Sequence, residues 1–533
     1  MSDFVELPPL PATRNRRMRI IIPSFPRFNI YSRVAKHTTA LGPVMIATVV
    51  NHIPGWDAEV IDENNYSKHG PHDENGYPDH SLLQELRPAD LIGIYGGLTS
   101  TAPRIYELAH MYKTMGIPIL VGGQHFVGEN IREALEHKVD YVIIGEGENT
   151  IRELIGALES QKDPATVPGI AFDSHGQTVE TEPRPEIDNL SQLPLPDFSL
   201  LRLADIMLYP VSWARGCCMH CEFCTVKGRV RCPVPEYVYD QIISLFERMK
   251  AKNFFIVDDL FGQHRKDTLV LCRELAKYQE RVGVSFFITV QIRLDRARDE
   301  ELLTAMRRAN IRVVAIGYES PIGEELLAMN KKLHPEEMIE LTRLYHQAGL
   351  MVHGMFIFGY PHQPGSNFTM PVKERIRIFR KFIHDARLDT IQILLPVPLP
   401  GTELTRRLAD TGRIFSRQEI GWEYYDGNFP LFIPDPPMTA DDLRYAQKSL
   451  MGGFYKFGYM FYIGVNILMF PAIVCGTFNI RKGWNRWYKS FRNNIWRFIG
   501  WIILLKWSSP HTQEEFKARL ERAKQRPPQR SHQ

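Results

Sequence analysis

The sequence predicts an α/β protein with two successive parallel-sheet domains, followed by a helical region that is both apolar and basic. Three observations predict it. Short apolar runs bounded by turn residues alternate with helix-length segments from Met18 to Pro400. Four of the seven cysteines fall between Cys217 and Cys224. From Leu443 to Gln513 there are ten Lys or Arg and no Asp or Glu, so the net charge of +3 hides a remainder with 54 basic and 61 acidic residues. A length of 533 residues implies three or more domains, and 44% hydrophobic content is enough for their cores.

In the first third, "MRIIIP", "WDAEVID", "DLIGIYG", "IPILVGG" and "YVIIGEG" read as five strands separated by helices. They form a doubly wound, flavodoxin-like parallel sheet over 18–160. Ligands of such sheets bind beyond the C-terminal strand ends. "GGLTST", "GGQH" and "GEGEN" follow the third, fourth and fifth strands, which makes Thr99, Ser100, Gly122, Gly123, His125, Gly145 and Glu146 candidate ligand contacts. The alternative is that Gly122 and Gly123 only make a tight turn. No G-x-G-x-x-G follows the first strand, which speaks against a dinucleotide.

A linker is expected over 161–205. Six further strand and helix units, from "IMLYPVSWARG" to "DTIQILLPVPLPG", then predict a partial (β/α)6 barrel over 206–400. An extension that caps the barrel is expected over 401–452, the apolar and basic helical region over 453–513, and a polar tail with a frayed helix over 514–533.

The cysteines are too few for a disulfide framework, and "MSDFVELPPLPATRNRRMRI" lacks the apolar core of a secretory signal. A reducing cytoplasm is the expected setting, where clustered cysteines bind metal or do redox chemistry. The spacing Cys217-x-x-x-Cys221-x-x-Cys224 offers three thiolates on one loop, suited to three irons of a four-iron cluster with the fourth left open. The rival is structural zinc held with His220, but zinc ligands usually come as two separated pairs.

The cysteine spacing, the preceding "ARG" and the aromatic Phe223 resemble the signature of radical S-adenosylmethionine enzymes. "VDDLF", "GYES" and "IFGYP" resemble family segments lining the S-adenosylmethionine site. The resemblance implies Cys217, Cys221 and Cys224 as ligands of a 4Fe-4S cluster, with Cys218 not among them. Phe223, Asp259 and Glu319 become cofactor contacts, with Glu319 the expected polar contact to S-adenosylmethionine. It also implies a reductant such as flavodoxin or ferredoxin. "VGGQH" and "DYVIIGEGENTIREL" resemble the cobalamin-binding domain that precedes many of these enzymes, so cobalamin is an expected cofactor. The D-x-H-x-x-G motif, whose histidine ligates cobalt in other cobalamin proteins, is absent; His37 in "AKHTTA" lacks both the Asp and the Gly. No cysteine precedes Cys217, which excludes the second cluster of methylthiotransferases.

Near the C-terminus, Phe457 to Ile480 is a run of 24 residues without a charge, and the next stretch holds five of the eight tryptophans with seven basic residues. Such a sequence suits a spanning helix or an interfacial segment facing anionic lipid, and suits nucleic acid less. The alternative is a soluble helical cap. The expected protein is a cytoplasmic, membrane-associated radical enzyme that methylates or otherwise modifies a carbon of an apolar substrate, a lipid, isoprenoid or tetrapyrrole. The alternatives are a radical cyclase or rearrangement enzyme, and a non-catalytic sensor of cobalamin or lipid.

Overall fold

Strand Arg16–Ile22 (β1) is buried on both faces over its last five residues, as a strand between parallel neighbours requires. It pairs in parallel with Trp56–Asp62 (β2) on one side and Leu91–Tyr95 (β3) on the other. Ile119–Gly122 (β4) and Tyr141–Ile143 (β5) extend the sheet beyond β3. The order β2-β1-β3-β4-β5 reverses direction between β1 and β3, which makes a crevice at their C-terminal ends. Helix Leu41–Asn51 (α1) covers one face. The structure is a computed structural model that describes residues 14–30, 32–67, 69–470, 480–507 and 510–525.

The segment 161–205 is more than a linker. Ile170–Ser174 (β6) and Gln177–Glu180 (β7) add an antiparallel pair to the sheet, with Tyr141 opposite Phe172 across β5 and β6. No strand was expected there because the exposed β7 has no apolar alternation.

Six parallel strands follow, Tyr209–Val211 (β8), Asn253–Phe261 (β9), Phe287–Ile292 (β10), Ile311–Glu319 (β11), Met351–Ile357 (β12) and Thr390–Leu394 (β13), in sequential spatial order. This is the expected partial barrel. Phe254, Ile288, Val314, Val352 and Ile391 are among its fully or nearly fully buried residues. Its last strand would leave an open edge, and the C-terminal extension supplies the partners. The Tyr455 hydroxyl donates to Ile391 O at 2.7 Å and accepts from Ile391 N at 2.8 Å, while Gln447 Nε2 donates to Ile393 O at 2.8 Å.

The extension holds Glu403–Asp410 (α2) and Ala440–Phe454 (α3), which starts on a reciprocal Thr439–Asp442 capping box. It reaches beyond the barrel, because Trp422 donates to Glu133 of the first domain at 3.0 Å. Tyr459–Leu468 (α4) and Ile480–Trp507 (α5) come next. Residues 471–479 of the uncharged run lie outside the described residues. Among the described residues, no helix is long and apolar enough to cross a membrane. The expected polar tail is corrected: Pro510–Gln525 (α6) buries Phe516, Leu520 and Ala523 against Tyr424 and Phe429. Their spacing of four and three places them on one helical face.

The two domains are joined by a charge clasp. Arg215 donates to Glu146 at 3.0 Å and to Glu148 at 2.5 Å, and Arg231 donates to Glu146 at 2.9 Å. The Arg215 and Arg231 backbones also pair as an antiparallel bridge. Burial works against the Glu146 charge, but Arg231, the Ile187 amide and Arg215 outweigh it and hold the carboxyl below its usual range. Arg215→Met leaves the buried Glu148 without this cation, which costs roughly 3 kcal/mol. Chemical denaturation should show the loss as a lowered midpoint, and limited proteolysis should cut 181–208 faster than in the parent. Unchanged midpoint and cleavage would contradict the clasp.

Candidate cofactor and active site

The loop after β8 begins on Trp213, which is fully buried and whose amide donates to Asp258 Oδ1 at 2.7 Å. Cys217, Cys221 and Cys224 follow and line one cavity of about 210 Å³ at the C-terminal ends of the strands. Phe223, Gln291, Arg293, Gly317, Glu319 and Lys331 share that cavity. Cys218 is exposed and does not line it. None of the six described cysteines forms a disulfide.

The donor set fits a cubane cluster. Among the described residues, no three His, Cys, Asp or Glu converge as ligands of one ion would. Cluster thiolates need not converge, because each takes a different iron. Burial pushes the Cys221 thiol up, against the opposing pull of Lys331. Binding iron would therefore release a proton held at neutral pH.

Contacts from distant parts of the chain shape the loop. Glu222, between two of the cysteines, is buried. It accepts from Arg407 of α2 through both oxygens, at 2.6 and 2.9 Å, and from the Tyr360 hydroxyl at 2.7 Å. Arg407 also donates to His362 O at 2.7 Å, which ties the loop to the "FGYP" turn. Glu222 N donates to Met329 O at 3.0 Å, Asn330 donates to His220 O at 2.9 Å, and Lys227 donates to Cys221 O at 2.7 Å. Phe223 packs edge-on against Tyr360.

Glu319 sits in the cavity wall at φ +59°, a left-handed conformation that a non-glycine residue adopts at a cost. The pairing of β11 with β12 shifts register here, between Gly317 and Glu319. Its carboxylate accepts from Lys331 Nζ at 2.8 Å. Burial opposes the Lys331 charge, but Glu319 and Cys221 outweigh it and raise its pKa. The cavity wall thus pairs a carboxylate with an ammonium, complementary to the amino and carboxylate groups of an amino acid. Asp259 lies in β9, but its side chain is outside the described residues.

A second cavity, of about 450 Å³, opens between the first sheet and α1. Met18, Ile20 and Leu120 line one wall and Leu41, Met45 and Ile46 the other, with Gly122, Gly123, Gly145 and Glu146 at the mouth beside Arg215 and Ser212. Gly93 and Gly147 keep it open, since a Cβ would stand 2.7 Å from Met18 Cε at the first and 3.0 Å from Ile46 Cδ1 at the second. Gly123 has φ +127°, and a Cβ there would meet Gly96 C at 2.6 Å. Gly123 thus serves the close approach of its turn to the backbone at Gly96 and Gly97. The apolar slot and its glycine mouth fit a large ligand with a bulky tail, as cobalamin is, and no histidine lines it among the described residues.

Of the other expected contacts, Thr99 and Ser100 are buried in a single helical turn and do not line this cavity. His125 points elsewhere, its ring edge-on to Phe126 and Trp422. Burial, helped by Arg417, lowers its pKa to about 4, so it is neutral at neutral pH. The cysteine loop touches the lining of the second cavity where Thr225, one residue past Cys224, donates to Gln124 at 3.3 Å. Sequence reading missed Glu222, Arg407 and Lys331. Glu222 is the one acid between Cys217 and Cys224, a signal in hindsight, but nothing in the sequence connects it with Arg407, 185 positions away.

Comparison with known proteins agrees with this geometry. A family model of the B12 binding domain matches residues 32–155, and one of the radical SAM superfamily matches 211–370. The chain is a radical S-adenosylmethionine enzyme with an N-terminal cobalamin-binding domain; its cofactors are a 4Fe-4S cluster, S-adenosylmethionine and cobalamin. It is 25% identical over 402 residues to an uncharacterized methyltransferase of Pyrococcus horikoshii, covering 73% of this chain and 82% of that protein. It is 26% identical over 363 residues to the anaerobic magnesium-protoporphyrin IX monomethyl ester cyclase of Rubrivivax gelatinosus, covering 64% of this chain and 62% of that protein. The fold matches that of OxsB, a cobalamin-dependent S-adenosylmethionine radical enzyme solved with aqua-cobalamin and S-adenosylmethionine bound. That match has a TM-score of 0.63 at 14% identity and covers 96% of this chain and 82% of the other.

If Glu222 and Arg407 shape the loop, Glu222→Gln should lower iron content after anaerobic reconstitution severalfold, because it weakens a buried charge pair. Tyr360→Phe removes one hydrogen bond, worth about 1 kcal/mol, and should keep most of the iron. Replacing Cys217, Cys221 or Cys224 with Ala should abolish cluster binding, and Cys218→Ala should not. Iron and sulfide assays check the order. Full iron content in Glu222→Gln would contradict the role given to that pair.

Proposed function

We propose that the protein is a cobalamin-dependent radical methyltransferase whose substrate is an apolar carbon skeleton of the isoprenoid, lipid or tetrapyrrole kind, met at a membrane surface. One observation supports the reaction class: the cluster loop reaches the cobalamin-type cavity, with Thr225 bonded to Gln124 and Arg215 to Glu146 and Glu148, all three partners in that cavity's lining. When bound, the cluster supplies the electron that cleaves S-adenosylmethionine, and cobalamin supplies a carrier for the methyl group.

The residues do the positioning. Cys217, Cys221 and Cys224 hold the cluster and leave one iron for S-adenosylmethionine. Lys331 and Glu319 match the carboxylate and amino groups of its methionine part. Phe223 and Met355 give the cavity apolar walls. Gly122, Gly123 and Gly145 would let cobalamin approach the backbone, in a cavity that no histidine lines among the described residues. A low-potential reductant of the flavodoxin or ferredoxin kind feeds the cluster.

A second reading, radical cyclisation without methyl transfer, is favoured by the likeness to the Rubrivivax gelatinosus cyclase. The deciding experiment supplies the anaerobically reconstituted protein, with cobalamin and a reductant, with S-adenosylmethionine deuterated in its methyl group and an apolar lipid or tetrapyrrole extract. Methyl transfer predicts both 5′-deoxyadenosine and a deuteromethylated product. 5′-Deoxyadenosine with an unlabelled product would favour the cyclase reading, and absence of 5′-deoxyadenosine would overturn both.

A further inference from the structure

Helix α4 is inside out. Its one buried residue is the polar Asn466, which donates to Ser490 Oγ at 3.1 Å and whose backbone carbonyl accepts from Trp487 Nε1 at 2.7 Å. Its apolar residues point outward, with Phe461 71% exposed and Leu468 80% exposed, alongside Met460, Tyr462 and Ile467. A helix packed on a water-soluble core has the reverse polarity.

Helix α5 continues the same surface. Its inner face is fastened to the barrel: Arg497 donates to Leu388 O at 2.9 Å, Asn493 donates to Asp389 at 2.5 Å, and Leu504 is buried. Gly500 lets α5 approach, since a Cβ there would stand 2.3 Å from the Tyr455 ring. Trp484, Tyr488, Trp496, Ile499 and Leu505 are exposed. At 3.6 residues per turn Trp484, Tyr488 and Ile499 lie on the side opposite Asn493, Arg497 and Leu504, with Trp496 and Leu505 on its two flanks. Phe457 packs on Trp501 at one end of α4 and Phe470 on Trp487 at the other, so the two helices pack together, and Arg492 lies over the Tyr488 ring among the exposed apolar side chains of α5.

We infer that the α4–α5 hairpin is a docking surface for an anionic lipid bilayer, on which the protein sits peripherally. This rests on the apolar-substrate reading above and names the surface through which such a substrate is reached. The choice of occupant follows from charge. The stretch 443–513 has ten basic residues and no acidic one; Arg497 is turned inward, but the region as a whole is strongly positive, so a second copy of it is repelled while anionic headgroups complement it. Exposed Trp and Tyr suit the headgroup level, and an exposed apolar surface of this kind marks an interaction site on a soluble body. Asn466 faces α5 and not the outer surface, so covering that surface does not bury its side-chain amide.

The test is flotation of the full-length protein with vesicles of phosphatidylcholine alone or mixed with phosphatidylglycerol. The expected result is flotation with the mixed vesicles, less with the neutral ones, and weakening but not release in high salt. The double variant Phe461→Asp and Leu468→Asp should lose affinity by at least about tenfold. Both side chains face solvent, so its iron content and melting midpoint should match the parent. Three results would overturn the inference. The parent ignores both vesicles, the double variant floats undiminished, or the parent forms a dimer that the variant abolishes, which assigns the surface to a second copy. None of these readouts uses catalysis, so their failure leaves the 5′-deoxyadenosine assay as the separate test of the chemistry.

Discussion

Three thiolates can hold a four-iron cluster and still leave one iron open only if the protein, not the metal, dictates the shape of their loop. In this chain that duty falls to Glu222. Its carboxylate is buried between Cys221 and Cys224 of that loop and accepts from the Arg407 guanidinium through both oxygens and from the Tyr360 hydroxyl. Burying a carboxylate is costly, and breaking such a pair leaves an uncompensated charge inside the protein. That penalty ties the loop to α2 and to the turn after β12. The C-terminal extension is thus a structural part of the metal site, and the barrel alone would lack Arg407.

The same logic sets the distance between the two cofactor sites. Both sheets end their strands toward a common space, and Arg215 crosses it from the cluster loop to Glu146 and Glu148 of the first domain. A flexible linker would let the two sites drift, whereas β6 and β7 turn the intervening chain into an edge of the first sheet. Around the shared space the chemistry is divided. One cavity has thiol, carboxylate and ammonium groups in its wall, and the other is an apolar slot with glycines at its mouth. A cofactor that needs a metal contact fits the first, and a bulky ligand held mainly by shape fits the second.

Both sheets were legible in the sequence because strands buried on two faces read as nearly unbroken apolar runs, as in "LIGI" and "VVAIG". The cysteine loop was legible because its spacing is local. What was not legible depends on contacts between distant positions. Arg407 reads as an ordinary helix-surface cation, and Lys331 as one of two adjacent lysines. His125 reads as a ligand contact after "GGQ", yet Trp422, almost three hundred positions on, turns it into a buried neutral ring. The last helix reads as polar because Phe516, Leu520 and Ala523 are sparse among charges, although their spacing fills one groove. The inverted polarity of α4 is likewise invisible to composition, which records that the segment is apolar but not which way it faces.

The central claim is that the Cys217, Cys221 and Cys224 loop holds a cluster with one iron open to S-adenosylmethionine. Electron paramagnetic resonance of the reduced, reconstituted protein, recorded with and without S-adenosylmethionine, tests it most directly. The claim predicts a single cluster signal whose g-values shift when S-adenosylmethionine is added, in the parent and in Cys218→Ala alike. A signal that does not change on addition would mean that the protein already ligates every iron, and would contradict the account.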